Sequence, residues 1–183
     1  MASLSNKKVA LLTDNGFEES ELTEPKKALE EAGATVQIVS AQSTVKGWKD
    51  KNWSIELTVD RKLEDTTPEE FDALLVPGGV INPDLMRNNP AYVNFAKHFL
   101  SAGKPVGAIC HGPQLLIETG LLKGRNMTSY GSIKTDLKNA GVNWADEEVV
   151  TDRGLVTSRQ PEDIPAFNKK IIEEFAEGIH QPK

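Results

Sequence analysis

Three short stretches carry residue types that could do chemistry, and each follows an apolar, β-branched run. Asp14-Asn15-Gly16-Phe17-Glu18-Glu19 follows the first run, Pro77-Gly78-Gly79 a middle one, and Cys110-His111-Gly112-Pro113 the run Val-Gly-Ala-Ile. The last has the grammar of a nucleophile elbow, in which a strand delivers a reactive residue onto a tight turn before a helix begins. Such a turn is strained and needs small residues two before and two after the nucleophile; here they are Ala108 and Gly112. A thiolate at a helix start feels unpaired N–H groups and the positive end of the helix dipole, so the turn is expected to lower the pKa of Cys110. His111 adjoins it and must swing sideways to touch the sulfur, which calls for a third group to fix the ring. The other two histidines, His98 and His180, read as a helix face and a mobile tail. Pro-Gly-Gly lets backbone N–H groups approach a ligand where no Cβ intrudes. The N–H of Gly79, with that of His111, is therefore assigned to an oxyanion hole.

These stretches converge only if the strands lie side by side. Lys8 to Thr13, Thr35 to Ser40, Phe71 to Pro77, Pro105 to Cys110 and Asn126 to Tyr130 read as strands, apolar on both faces as in a covered parallel sheet. Between them the sequence predicts helices. The first carries Leu22, Ala28, Leu29 and Ala32 on one face and ends at Gly33, with Pro25 near its start; the second runs from Asn89-Pro90 to Gly103. Others are expected over Gly112 to Thr119, Ser132 to Ala140 and Ile164 to Ala176. Val45 to Asp60 and Glu147 to Ser158 read as antiparallel hairpins, the second turning at Asp152-Arg153-Gly154. The result is a three-layer α/β/α sandwich of flavodoxin-like type with a mostly parallel sheet. In that class ligands sit outside the carboxyl ends of the strands.

Composition narrows the function. The 183 residues suit one domain, taken as 7–177 with short tails at 1–6 and 178–183. A net charge of -6 opposes binding to a phosphate backbone, so no nucleic-acid partner is expected. No apolar stretch reaches signal-peptide or membrane-spanning length, so the reading is a soluble, cytoplasmic protein with no membrane partner. A single cysteine forms no internal disulfide, in keeping with a reducing compartment. Three scattered histidines and one cysteine give no metal-ligand spacing. Neither a dinucleotide fingerprint nor a P-loop is present, and no cofactor is expected.

Ala-Ile-Cys-His-Gly-Pro-Gln, with Asn-Gly-Phe-Glu-Glu-Ser-Glu-Leu, Leu-Val-Pro-Gly-Gly and Thr-Ser-Arg-Gln-Pro-Glu-Asp in that order along the chain, resembles the PfpI-like family of the DJ-1/PfpI superfamily. The resemblance implies a class I glutamine-amidotransferase-like fold, with Cys110 as nucleophile, His111 beside it, Glu18 as the acid at the end of the first strand and Gly79 as the oxyanion glycine. Asp84 falls where PfpI-like proteases place a Glu that reaches the histidine of a neighbouring subunit, and it is one methylene shorter. A homodimer or higher oligomer with a composite site is therefore expected. Tyr130 and Arg159 are implied as pocket walls. A carboxyl buried beside a thiolate is held protonated by the neighbouring charge and can then donate a hydrogen bond to sulfur, the role expected of Glu18. The implied activity is glyoxalase or deglycase chemistry on reactive aldehydes, with peptide-bond hydrolysis as the alternative. From another class comes a redox sensor or stress chaperone, in which Cys110 is oxidised to sulfinic acid. The roles of Trp48 and Trp53, either at a subunit interface or bracing their hairpin, stay open.

Overall fold

The computed structural model describes residues 2–181. Its central sheet has seven strands in the order β11-β12-β8-β7-β1-β3-β6: Val150–Asp152, Leu155–Ser158, Val106–Ile109, Ala73–Val76, Lys8–Leu12, Thr35–Ser40 and Arg61–Lys62. Every neighbouring pair is parallel except β11 with β12. The inner strands β1, β7, β8 and β12 are buried along almost their whole length, because both faces are covered.

On one face lie α1 (Glu19–Glu31) and α6 (Ile164–Glu177), packing Leu22, Leu29, Phe167, Ile171 and Phe175 against Val9, Leu11, Leu75 and Val156. On the other lie α2 (Ile81–Arg87), α3 (Pro90–Ser101), α4 (Pro113–Ile117) and α5 (Lys134–Asn139), with Met86, Phe95, Phe99, Leu116 and Leu137 meeting Ala10, Leu74 and Ala108. The two cores make the α/β/α sandwich the sequence predicts. Helix α3 starts as expected, the Asn89 side chain accepting from the Ala91 N–H at 3.0 Å with Pro90 at the first helical position.

Four details differ from expectation. Pro25 lies inside α1 rather than in its first turn. Helix α2 follows Gly-Gly directly and contains Pro83, so it lacks a start signal and was not expected. Of Asn126 to Tyr130 only Asn126–Met127 (β9) is strand, paired with β10 (Asn143–Trp144) outside the main sheet. The tails are docked: Leu4 is fully buried with its N–H bonded to the Ala32 carbonyl at 2.8 Å, and the His180 N–H bonds Gly103 at 2.8 Å. The expected tails also take in residues 1, 182 and 183, which lie outside the described residues.

The hairpin β4 (Thr44–Lys49) and β5 (Asn52–Thr58) forms a small separate sheet with β2 (Phe17–Glu18). Its turn holds Asp50 and Lys51 at φ 50 and 65, the left-handed pair that closes a two-residue hairpin. Trp48 and Trp53 meet edge to face with centroids 5.2 Å apart, bracing the hairpin.

Candidate active site

Strand β8 ends in a turn that puts Cys110 at φ 62, a conformation non-glycine residues adopt at a cost. The strain is held by the Cys110 N–H on the Ser158 carbonyl at 3.0 Å, the Tyr130 N–H on the Cys110 carbonyl at 2.9 Å, and the Gly112 N–H on the Ile109 carbonyl at 2.9 Å. A Cβ at Gly112 would stand 2.9 Å from the Ile109 oxygen and 3.0 Å from that of Val76, which is why the position must be small.

His111 swings back over the sulfur, its Nδ1 3.2 Å from Cys110 Sγ. Two neighbours from the following segment fix the ring: Ser132 Oγ lies 3.0 Å from Nε2, and Tyr130 stacks on it with centroids 4.7 Å apart. Burial lowers the His111 pKa, so the ring is neutral near pH 7 and able to accept a proton at one nitrogen.

The carboxyl beside the sulfur belongs to Glu21. The expectation for Glu18 is corrected: its chain ends β2, its side chain is only partly buried at the pocket, and burial followed by the charges of Asp50 and Glu19 raises its pKa. Glu21, in the first turn of α1, shares the inward face with Leu22, Pro25 and Leu29 and is 0% exposed. Burial, and then the charge of Glu18, push its pKa up to about 8, so it is largely protonated at neutral pH. The Cys110 thiol and the Gly78 and Gly79 N–H groups face this carboxyl, although none makes a hydrogen bond of full geometry to it. A Cβ at Gly78 would collide with Glu21 Oε1 and Cys110 Cβ. The helical phase was the signal that could have singled out Glu21, as the one acid among apolar residues four apart.

Burial also pushes the Cys110 thiol up, and a charged Glu21 would push it further; the N–H groups of Gly79 and His111 pull it down. This reverses the lowering expected from a helix start. Helix α4 is only five residues long, and desolvation outweighs its end charge. The same two N–H groups are those assigned to an oxyanion hole.

Asn82, fully buried, ties the glycine loop to the end of β1. Its amide donates to the Pro77 and Gly78 carbonyls at 3.1 and 3.3 Å, and its oxygen accepts from the Asp14 N–H at 2.6 Å and the Thr13 hydroxyl at 3.1 Å. Sequence reasoning missed Glu21, Ser132 and Asn82.

Cys110 closes the floor of an open pocket of about 610 Å³, walled by Glu18, Trp48, Ile81, Tyr130 and Pro161. Tyr130 lines this pocket. Arg159 does not: its guanidinium is engaged by Asp163 at 2.9 and 3.0 Å and by Asp146 at 3.0 Å, outside this pocket. Asp84 is exposed on α2 and lines a different depression with Arg87 and Glu118, so within this chain it does not join Cys110.

A cysteine on a strained strand-to-helix turn, with histidine and a buried carboxyl against it, defines a cysteine-elbow α/β sandwich. The chain belongs to the DJ-1/PfpI family, whose model matches residues 7–174. It is 45% identical over 170 residues to "Protein/nucleic acid deglycase 2" of Escherichia coli, covering 91% of this chain and 96% of that protein. It is 48% identical to "General stress protein 18" (91% and 96% covered) and 46% identical to "Putative cysteine protease YraA" (91% and 97%), both of Bacillus subtilis. Among solved structures it is similar to Drosophila melanogaster DJ-1beta, at 29% identity and a TM-score of 0.84, with 93% of this chain and 90% of that one covered. No helix among the described residues is long and apolar enough to cross a membrane.

Proposed function

We propose that the protein is a cysteine-dependent enzyme that detoxifies reactive aldehydes, of glyoxalase or deglycase type. The observation that carries this reading is a pocket ending on Cys110, with a neutral histidine 3.2 Å from the sulfur and a protonated carboxyl against it. With methylglyoxal as substrate, Cys110 Sγ adds to the aldehyde carbon while the thiol proton passes to His111 Nδ1. The oxygen that becomes negative accepts from the Gly79 and His111 N–H groups and takes up that proton, giving a hemithioacetal. His111 then takes the proton from the adduct carbon as the ketone oxygen gains one, giving the enediol, and returns it to the former ketone carbon as the adduct hydroxyl gives up its proton and becomes the thioester carbonyl. The resulting lactoyl thioester is cleaved by water, which releases lactate and restores the thiol. Glu21, held neutral, adds no second negative charge beside the sulfur and can donate to it.

The relative named a deglycase and the one named a general stress protein agree in direction with this reading. Peptide-bond hydrolysis is the second reading, favoured by the Cys110–His111 pair and by the relative named a cysteine protease. In both readings a second copy of the chain brings Asp84 toward the site. Turnover of methylglyoxal and of a fluorogenic peptide, measured side by side on the wild-type protein, tests the choice. Lactate formation without peptide cleavage supports the first reading, and the converse overturns it.

A further inference from the structure

The end of the chain meets the end of α6 at the amino-terminal end of β8, opposite the end that carries Cys110. Glu174 and Glu177 lie three residues apart on the last turn of α6, and Gly178, at φ 84, turns the chain so that His180 comes back to them. The ring is placed by the backbone rather than by its nitrogens. The His180 N–H bonds Gly103 at 2.8 Å, and the ring rests on Gly154, where a Cβ would stand 2.7 Å from Cδ2.

His180 Nε2 is 3.2 Å from Glu174 Oε2 and 3.7 Å from Glu177 Oε2. It is nevertheless closed off from solvent and makes no hydrogen bond to either. Both separations are of ion-pair length, and an arrangement this close without a hydrogen bond also suits atoms that converge on a common centre. The Glu174 side chain is 12% exposed, and its carboxylate receives no hydrogen bond among the described residues; only its backbone carbonyl does, from the Gly178 N–H at 3.1 Å. No Lys or Arg among the described residues lies within ion-pair distance of Glu174 or Glu177; Lys170, whose charge also acts on Glu174, pairs with Glu173 at 2.7 Å.

One donor atom from each of the three residues lies within 4.8 Å of the others. Around a tetrahedral zinc ion with bonds of about 2.0–2.2 Å, neighbouring donors stand about 3.3–3.6 Å apart. The two nitrogen-to-oxygen separations bracket that value before any contraction. We propose that Glu174, Glu177 and His180 form a site for one divalent cation of zinc type, with two carboxylate oxygens and one imidazole nitrogen as ligands. Imidazole selects for zinc over calcium or magnesium, which prefer oxygen throughout. The exposed Glu177 leaves an entry path from solvent. Bound metal would clamp the end of the chain to α6 beneath β8 and β12, independently of the chemistry at Cys110.

The test is calorimetric titration of Zn²⁺ into untagged, metal-stripped Cys110→Ser protein, which lacks the active-site thiol as a competing ligand. One equivalent is expected. Glu174→Gln and His180→Ala, each in that background and checked for folding by circular dichroism, should weaken binding at least about tenfold. Co²⁺ should give the intense visible absorption of a tetrahedral centre, lost in His180→Ala. Absence of stoichiometric Zn²⁺ binding, or an unchanged equivalent in the His180→Ala protein, would overturn the proposal.

Discussion

Replacing Glu21 with Gln should make the protein more stable at neutral and alkaline pH while leaving acid stability almost unchanged. The glutamine fills the same buried space but cannot ionise. The wild-type carboxyl ionises near 4.5 in the unfolded chain and at about 8 in the fold. A group raised in this way favours the fold fully below its unfolded pKa, and the advantage is lost as pH rises toward the folded pKa. The interval between 4.5 and about 8, at about 1.4 kcal/mol per pH unit, amounts to about 5 kcal/mol. About 3 kcal/mol of it falls between pH 5 and pH 8. Glutamine loses none of this, so the variant should gain on wild type by about that amount across the window. Urea unfolding of both proteins at half-unit steps from pH 4.5 to 8.5 measures the difference. A gap that stays flat with pH, or that narrows as pH rises, would refute the claim that Glu21 is held protonated.

Glu21→Leu removes a donor to the thiolate, so alkylation of Cys110 by iodoacetamide at pH 6 should slow; mass spectrometry follows the rate, and an unchanged or faster rate contradicts the donor role. Ser132→Ala frees the His111 ring and should lower kcat for methylglyoxal about tenfold or more with little change in KM, whereas a pure KM effect would assign Ser132 to substrate binding. For Asp84, Cys110→Ser and Asp84→Asn proteins mixed, dissociated and reassociated should recover about a quarter of wild-type activity if two chains build each site. Recovery no higher than the average of the separate mutants would confine the site to one chain.

What could be read from the sequence follows from how local each signal is. Cys110 stood out because its constraints lie within a few residues: an apolar strand before it, small residues at 108 and 112, and a proline opening the helix. The parallel sheet was equally plain, since doubly covered strands are apolar throughout. Glu18 and Glu21 sit in one acidic run, and which of them turns inward depends on where α1 begins. That boundary moves by a residue or two without altering the composition. Asn82 and Ser132 act on groups 4 to 69 residues away through loop geometry that no periodicity encodes. Helix α2 begins without a cap and holds a proline, so propensity argued against it. The Glu174–Glu177–His180 group escaped notice because the chain reversal at Gly178, not ligand spacing, brings it together.

Whether the sulfur of Cys110 is the reacting atom is decided by a single comparison. Wild-type and Cys110→Ser proteins, matched by circular dichroism and melting temperature, are assayed for lactate formation from methylglyoxal. The serine hydroxyl occupies the thiol's place but is a far weaker nucleophile at neutral pH. Wild type should turn methylglyoxal over and the variant should form no lactate above background; sustained lactate formation by Cys110→Ser would show that the sulfur is not the reacting atom.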